Sequence, residues 1–336
     1  MLPFVKNIAC RPLGRFGAVV FIVATLIVAS WCDGVLARTA KQTTVRQRTF
    51  ASPEEAVEAL IATMKADDLK QLMAILGPDG QDLVYSGDPV ADNEGRERFL
   101  KFYEEKNQLV KQGDGKAVLE VNNEAWPLPI PIVMKRGVWL FDTREGRQEI
   151  LNRRIGRNER NSIQVCLAYV DAQREYADII REIDGRRKYA QKFLSEPGMK
   201  DGLYWETKPG EPLSPLGPQA ADARKEGYVR NPSSKPTPYH GYFYKILTAQ
   251  GRNAPGGDYD YVVAGNMIGG FALIAHPATY GISGVMSFIV NQDGVVYEKN
   301  LGKNTENIVQ KMKSFDPDKT WRKVDAKYLA PPSQSN

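Results

Sequence analysis

Only two histidines and three cysteines stand among these 336 residues, which narrows the chemistry the chain can perform. His240 lies in Tyr239-His240-Gly241-Tyr242 and His276 in Ala275-His276-Pro277. Neither belongs to a His-Glu-x-x-His signature, and two dispersed histidines with so little cysteine do not assemble a typical zinc set. Neither a metal nor a cofactor is expected. What the histidines do have nearby is aromatic: Tyr239, Tyr242, Tyr244 and Tyr280, with Arg252 on a glycine-rich turn. Aromatic bodies carrying a few hydrogen-bonding tips suit a sugar-like or peptide ligand. His240, Tyr242, Arg252, His276 and Tyr280 are therefore the candidate ligand-binding residues, on the expectation that His240 precedes one strand and His276 ends another at a shared sheet end. The plainer alternative is that the tyrosines pack sheet faces while the histidines bond locally.

No catalytic residue is assigned. Gly281-Ile282-Ser283-Gly284 lacks the second spacer residue and the strand-to-helix turn of a hydrolase's serine elbow. The glycine-rich stretches 251–257 and 265–270 lack both the closing Gly-Lys-Ser/Thr and the following helix of a phosphate loop. Asp258 and Asp260 beside Gly257 are explained by a turn more simply than by calcium. These absences favour a non-enzymatic binding or interaction module. The alternative is an envelope hydrolase or transferase using unpaired carboxylates such as Glu206 or Asp260.

Charge argues against the alternative reading of the arginine cluster, an anionic-polymer groove. The formal net charge is +5. Arg144, Arg147, Arg153, Arg154, Arg157 and Arg160 cluster, but Asp142, Glu145, Glu149 and Glu159 are mixed among them. Steering an anionic polymer requires one sign to dominate a cleft, so a salt-bridged, solvated face is the reading and nucleic acid is not an expected partner. Arg153, Arg154 and Glu159 are expected to anchor a junction between domains through ion pairs, Arg offering a rigid donor fork.

The first forty residues carry an address. Lys6, Arg11 and Arg15 precede an apolar run from Phe16 to Ala29, and small residues follow at Val35-Leu36-Ala37. That is the order of an export signal, with cleavage expected after Ala37. The alternative is an uncleaved N-terminal anchor facing the periplasm. The run is shorter than the roughly 20 residues a membrane span prefers, and no later segment approaches that length. A periplasmic or secreted protein follows, with no stable membrane span after cleavage and with an envelope protein, peptide or glycan as possible partner. Cys10 and Cys32 would leave with the signal, so Cys166 would stand alone without an internal disulfide, buried as a small hydrophobe.

The elements that must position these groups read as α+β. After a signal peptide at 1–37 and a flexible leader at 38–49, Ser52-Pro53-Glu54-Glu55 signals a capped helix start. A second helix is expected from Asp68, a turn region at 82–89, and a third helix over 93–106. Alternation over 116–121 and at 138–141 marks strands, and the three prolines of 126–133 force an extended crossing. Residues 50–157 thus form an N-terminal α+β domain of cystatin or nuclear-transport-factor character, by analogy of pattern. Residues 158–315 form a second α+β domain: a long helical segment over 158–193, interrupted at Asp184-Gly185, packed on an antiparallel sheet. A Pro/Gly-rich loop occupies 209–238, with a short helix at 220–226. Strands are expected at 241–247, 261–264, 270–275, 287–290 and 295–298, with a tight turn at Asn291-Gln292-Asp293-Gly294. A helix over 305–313 precedes a fraying tail at 316–336.

These runs carry a resemblance. Ser52-Pro53-Glu54-Glu55-Ala56, Trp126-Pro127-Leu128-Pro129, Arg153-Arg154-Ile155-Gly156-Arg157-Asn158-Glu159, Gly202-Leu203-Tyr204-Trp205, Tyr239-His240-Gly241-Tyr242, Ala254-Pro255-Gly256-Gly257 and Asp293-Gly294-Val295-Val296-Tyr297 resemble, in order, the exported bacterial family DUF2950. The resemblance implies a signal peptide and a fold pattern, and no catalytic assignment. The second half also resembles the globular head of type IV pilins and pseudopilins, a helix on a small antiparallel sheet. That likeness implies a structural subunit as a third functional class, although the apolar assembly helix of a pilin is missing before Asn158.

Overall fold

The computed structural model describes residues 46–228 and 236–330. The expected signal peptide, its expected cleavage point and most of the expected leader lie outside them, as do residues 229–235 of the 209–238 loop and the last six residues.

Local chemistry explains the first helices. Ser52 accepts the Glu55 N–H while the Glu55 carboxylate accepts the Ala51 N–H, so α1 (Pro53–Lys65) starts with reciprocal caps. Asp68 caps α2 (Leu69–Leu76), which stops at Gly77, a left-handed residue at φ +71°. After the single turn of α3 (Gln81–Val84), Asp88 caps α4 (Pro89–Glu105). Strands β1 (Asn107–Lys111), β2 (Lys116–Val121), β3 (Trp126–Pro127), β4 (Ile132–Lys135) and β5 (Val138–Phe141) follow. They pair antiparallel in the order β1-β2-β4-β5, with β3 also on β2. Alternate residues of β2 are buried, and Leu60, Ile75, Leu119, Ile132 and Phe141 sit at the centre of this first core. The expected leader is pinned where it is described: Gln47 Nε2 donates to the Ile75 and Phe141 carbonyls, which corrects the flexible reading for 47–49.

The largest difference from expectation is α5 (Thr143–Asp184), one helix of 42 residues, about 60 Å at 1.5 Å per residue. It starts fifteen residues before the expected 158 and runs straight through the expected domain boundary, then ends at Gly185, so 185–193 is not helical. Its first part packs on the first core through Ile150; a Cβ on Gly146 would collide with the Pro129 carbonyl, so the proline-rich crossing lies directly against it. Its second part buries Ile163, Cys166, Tyr169, Val170 and Tyr176 in a separate core.

That second core is built by α6 (Gly217–Lys225), β6 (Tyr242–Leu247), β7 (Ala249–Gln250), β8 (Tyr259–Asp260), β9 (Val262–Val263), β10 (Asn266–Met267), β11 (Ala272–Pro277), β12 (Ser287–Asn291), β13 (Tyr297–Lys299), α7 (Thr305–Lys311), β14 (Ser314–Phe315) and β15 (Arg322–Lys323). The main sheet is antiparallel, ordered β15-β13-β12-β11-β6. β11 and β12 are buried along their whole length because both sheet faces are covered. On one face Tyr244 reaches Ser162 of α5; on the other Lys245 donates to the Val309, Gln310 and Met312 carbonyls at the end of α7. The tail expectation needs correction over 316–330: β15 pairs with β13, and Val324 is buried and donates to the Val296 carbonyl. The architecture is α+β, with helices and a small sheet first and a long helix packed on a second sheet.

Candidate functional site

The site grows from one buried carboxylate. Asp88 is fully buried as the cap of α4. Its Oδ1 accepts the Ala91 N–H at 3.1 Å, and its Oδ2 accepts both the Tyr228 O–H and the Gly241 N–H at 2.8 Å. The Tyr228 oxygen in turn accepts the His240 N–H at 3.2 Å. His240 and Gly241 both take left-handed backbone, φ +50° and +75°. At Gly241 a side chain is excluded as well as disfavoured, since a Cβ would run into the Asn158 amide, which itself donates to the Ser283 carbonyl. A helix cap in the first lobe thus holds a strained turn in the second.

The turn presents the His240 ring against Tyr239, with centroids 4.0 Å apart, and sets Nε2 3.5 Å from a Glu226 carboxylate oxygen. Burial lowers the imidazole's pKa from the ordinary histidine value, against the pull of Asp88 and Glu94. Burial also raises that of Glu226, helped by Glu94, Asp222 and Asp88. Both shifts favour uncharged forms, so at neutral pH His240 is a neutral hydrogen-bonding group.

His240 borders a cleft of about 960 Å³ between α5, α6 and the start of β6. Its walls include the partly exposed Tyr204, Tyr239 and Tyr244 over the buried Tyr169 and Tyr242; the α5 residue Asn161 supplies an amide tip, while Gln164 lines the cleft with its Nε2 donating to the Tyr328, Leu329 and Ala330 carbonyls. No Asp, Glu, Lys or Arg lines it among the described residues. Asn161 has no side-chain hydrogen bond among those residues. Such a surface offers flat apolar faces and neutral donors and acceptors, the means of holding an uncharged polar ligand.

Of the five expected ligand residues, His240 and Tyr242 line this cleft and the other three do not. His276 pairs with Phe243 across β11 and β6, and side chains along a strand alternate in direction. Its residues therefore share the face of Lys245 toward α7, while Tyr242 and Tyr244 face α5. The His276 ring packs 5.8 Å from Phe243 and contacts the Pro277 carbonyl, burial lowering its pKa. Arg252 stands on the exposed turn after β7. Tyr280 bridges to Gly284 in the loop between β11 and β12. The shared histidine site is thus replaced by a cleft holding His240 alone. Neither Glu206 nor Asp260 lines it; Glu206 is largely exposed, 4.0 Å from Arg224, and Asp260 is exposed on β8.

The group expected at a domain junction divides: Arg153 and Arg154 meet only the first lobe, and Glu159 meets the second through backbone N–H groups, not an ion pair. Arg154 donates to the Asp82 and Leu83 carbonyls at 2.5 and 2.7 Å, and lies 3.8 Å from Asp92. Burial lowers its pKa from the usual arginine value, opposed by Asp92. One turn on, Glu159 accepts the Val285 and Met286 N–H groups of the second lobe. Arg153 instead stays with the first lobe, paired to Glu149 and stacked 4.8 Å over Trp126. Residues missed from the sequence are Asp88, Tyr228, Asn158 and Asn161. Only Asp88 carried a signal, an Asp-Pro start of a helix.

Among the described residues no group of three or more His, Cys, Asp or Glu could hold a metal ion, and no helix is long and apolar enough to cross a membrane. Residues 47–324 match a family model described as "Protein of unknown function (DUF2950)". No curated protein and no solved structure matches the chain.

Proposed function

The chain belongs to the DUF2950 family, and from that premise we propose a non-enzymatic binding module of the cell envelope that takes an uncharged oligosaccharide or short peptide in the α5–α6–β6 cleft. The observation that carries this reading is the lining: tyrosine faces, the unpaired Asn161 amide and one neutral imidazole, without a single formal charge among the described residues. Stacking faces with fixed neutral tips hold sugar rings or peptide groups, whereas a hydrolase of the carboxylate-pair type needs two acidic groups roughly 5–10 Å apart across its cleft. The order of basic residues, apolar run and small residues at the N-terminus supports action outside the cytoplasm. Intact-mass measurement on envelope-fraction protein should then give a species starting at Arg38; one retaining Phe16 to Ala29 points to a membrane anchor instead.

Binding is tested by calorimetry against peptidoglycan fragments, neutral oligosaccharides and short peptides. A ligand should bind saturably, and His240→Ala and Asn161→Ala should each weaken it at least tenfold in proteins with unchanged circular dichroism. His276→Ala, on the other sheet face, should leave binding as it is. Turnover of a bound glycan or peptide would transfer the cleft to the enzymatic reading. Affinity unchanged in both His240→Ala and Asn161→Ala would remove the cleft from consideration.

A further inference from the structure

A second cleft, of about 450 Å³, opens where the first core meets α5. Its inner walls are apolar, from Leu60 and Met64 of α1, Phe99 and Phe102 of α4, and Leu128 and Ile130 of the proline-rich crossing. Five arginines line it against two carboxylates, Asp92 and Glu124. Four of the five are engaged: Arg96 with Asp67, Arg98 with Glu94, Arg153 with Glu149 and Arg154 with Asp92.

Arg157 is different. It has no hydrogen bond or ion pair among the described residues, and much of its surface stays open to solvent within the cleft. Partial desolvation and the neighbouring cations Arg98 and Arg154 lower its pKa from the ordinary arginine value, with Glu94 opposing. A second donor is also idle: Arg96 Nε is buried without a partner. Buried donors are nearly always paired, so an orphan donor in the lining of the same cleft as an unpaired guanidinium marks a cleft into which an acceptor fits. A guanidinium presents a planar donor fork matched to carboxylate or phosphate oxygens.

We propose that this cleft binds an amphipathic organic anion, a carboxylate or phosphate head on an apolar body. The head pairs with Arg157 at the mouth, and the body lies between α1, α4 and the crossing. This site is separate from the neutral cleft of the preceding section and does not depend on it.

The probes are octanoate, octyl phosphate, octanol and inorganic phosphate, each titrated calorimetrically into the whole protein. Octanoate, octyl phosphate or both should bind saturably, and which binds tighter identifies the head group. Octanol and inorganic phosphate should each bind at least tenfold more weakly, because each lacks one half of the recognised structure. Arg157→Gln should weaken the anionic amphiphile at least tenfold and leave octanol unchanged. Gly95 of α4 lines the cleft with open space where a Cβ would stand, so Gly95→Trp fills it while leaving every arginine in the sequence and should abolish binding. His240→Ala should change none of this. No binding of either amphiphile, binding unaffected by both Arg157→Gln and Gly95→Trp, or phosphate binding as tightly as octyl phosphate would each overturn the proposal.

Discussion

Removing the charge at Asp88 should loosen the joint between the two lobes by an amount that can be worked from its bonds. The carboxylate takes three donors: the Ala91 N–H of its own helix, the Tyr228 hydroxyl, and the Gly241 N–H 153 residues away. An N-cap is worth about 1 kcal/mol, and each hydrogen bond to a charged group about 1.5–3 kcal/mol. Asp88→Asn can keep its oxygen on Ala91, but its NH2 then faces the Gly241 N–H, donor against donor. The expected cost is about 2–4 kcal/mol, while Asp88→Ala, which loses the cap as well, should cost about 4–6 kcal/mol. Tyr228→Phe removes one of the three bonds and also the acceptor of the His240 N–H, and should cost about 2–4 kcal/mol. Because both residues share one network, Asp88→Asn with Tyr228→Phe should cost less than the sum. Urea unfolding followed by far-ultraviolet circular dichroism and by tryptophan emission measures each value. Tryptophan reports on both cores, since Trp139 lies in the first and Trp205 and Trp321 pack on the second. Asp88→Asn within about 0.5 kcal/mol of the parent, or a strictly additive double variant, would refute the carboxylate as the joint.

The histidines set a pH dependence of definite sign: burial holds the folded-state pKa of His240 and His276 below the unfolded 6.5, so the unfolded chain binds more protons between the two values. Stability from these groups is therefore full above about pH 7 and falls as pH drops through 6.5 toward the folded values; thermal midpoints of the His240→Gln/His276→Gln variant should vary less between about pH 7.5 and 5.5 than those of the parent. Cys166 is fully buried, its thiol pKa pushed up to about 12 by desolvation, so a thiol reagent should label it only as fast as the protein opens, and Cys166→Ala should cost about 1–2 kcal/mol in urea unfolding. Arg154→Lys should cost about 1.5–3 kcal/mol by the same measurement, since a point donor cannot reproduce a fork spanning the Asp82 and Leu83 carbonyls.

What the sequence disclosed was local. Ser52-Pro53-Glu54-Glu55 starts α1, the alternation of 116–121 is β2, and Asn291 to Gly294 turns β12 back toward β13, each decided by residues within a few positions. The start of α5 was missed because its first fifteen residues show no apolar stripe: much of their contact with the first lobe runs through arginine heads, as Arg147 does to Asp82 and Arg154 to two carbonyls. β15 escaped because a two-residue strand has no period to detect. The site was half legible for the same reason. His240 and Tyr242 are near neighbours in sequence, whereas the placement of His276 depended on which face of β11 it takes, and one residue of register reverses that.

The long helix explains why two clefts of opposite character coexist in one chain. Arg157, Asn161 and Gln164 are spaced four and three residues apart, the spacing that lines up one face of a helix. Arg157 lines the charged cleft, and Asn161 and Gln164 line the neutral one. Between them, Asn158 backs the Gly241 turn that Asp88 and Tyr228 tie down. An arginine moved one turn along α5 would enter the tyrosine-lined cleft and give it the charge it lacks. The mixed arginine run that reads in sequence as a solvated face is therefore divided by the fold: most of its cations are paired, and Arg157 is left for a ligand. Net charge alone cannot reveal that division, because it is made by which helical turn meets which lobe.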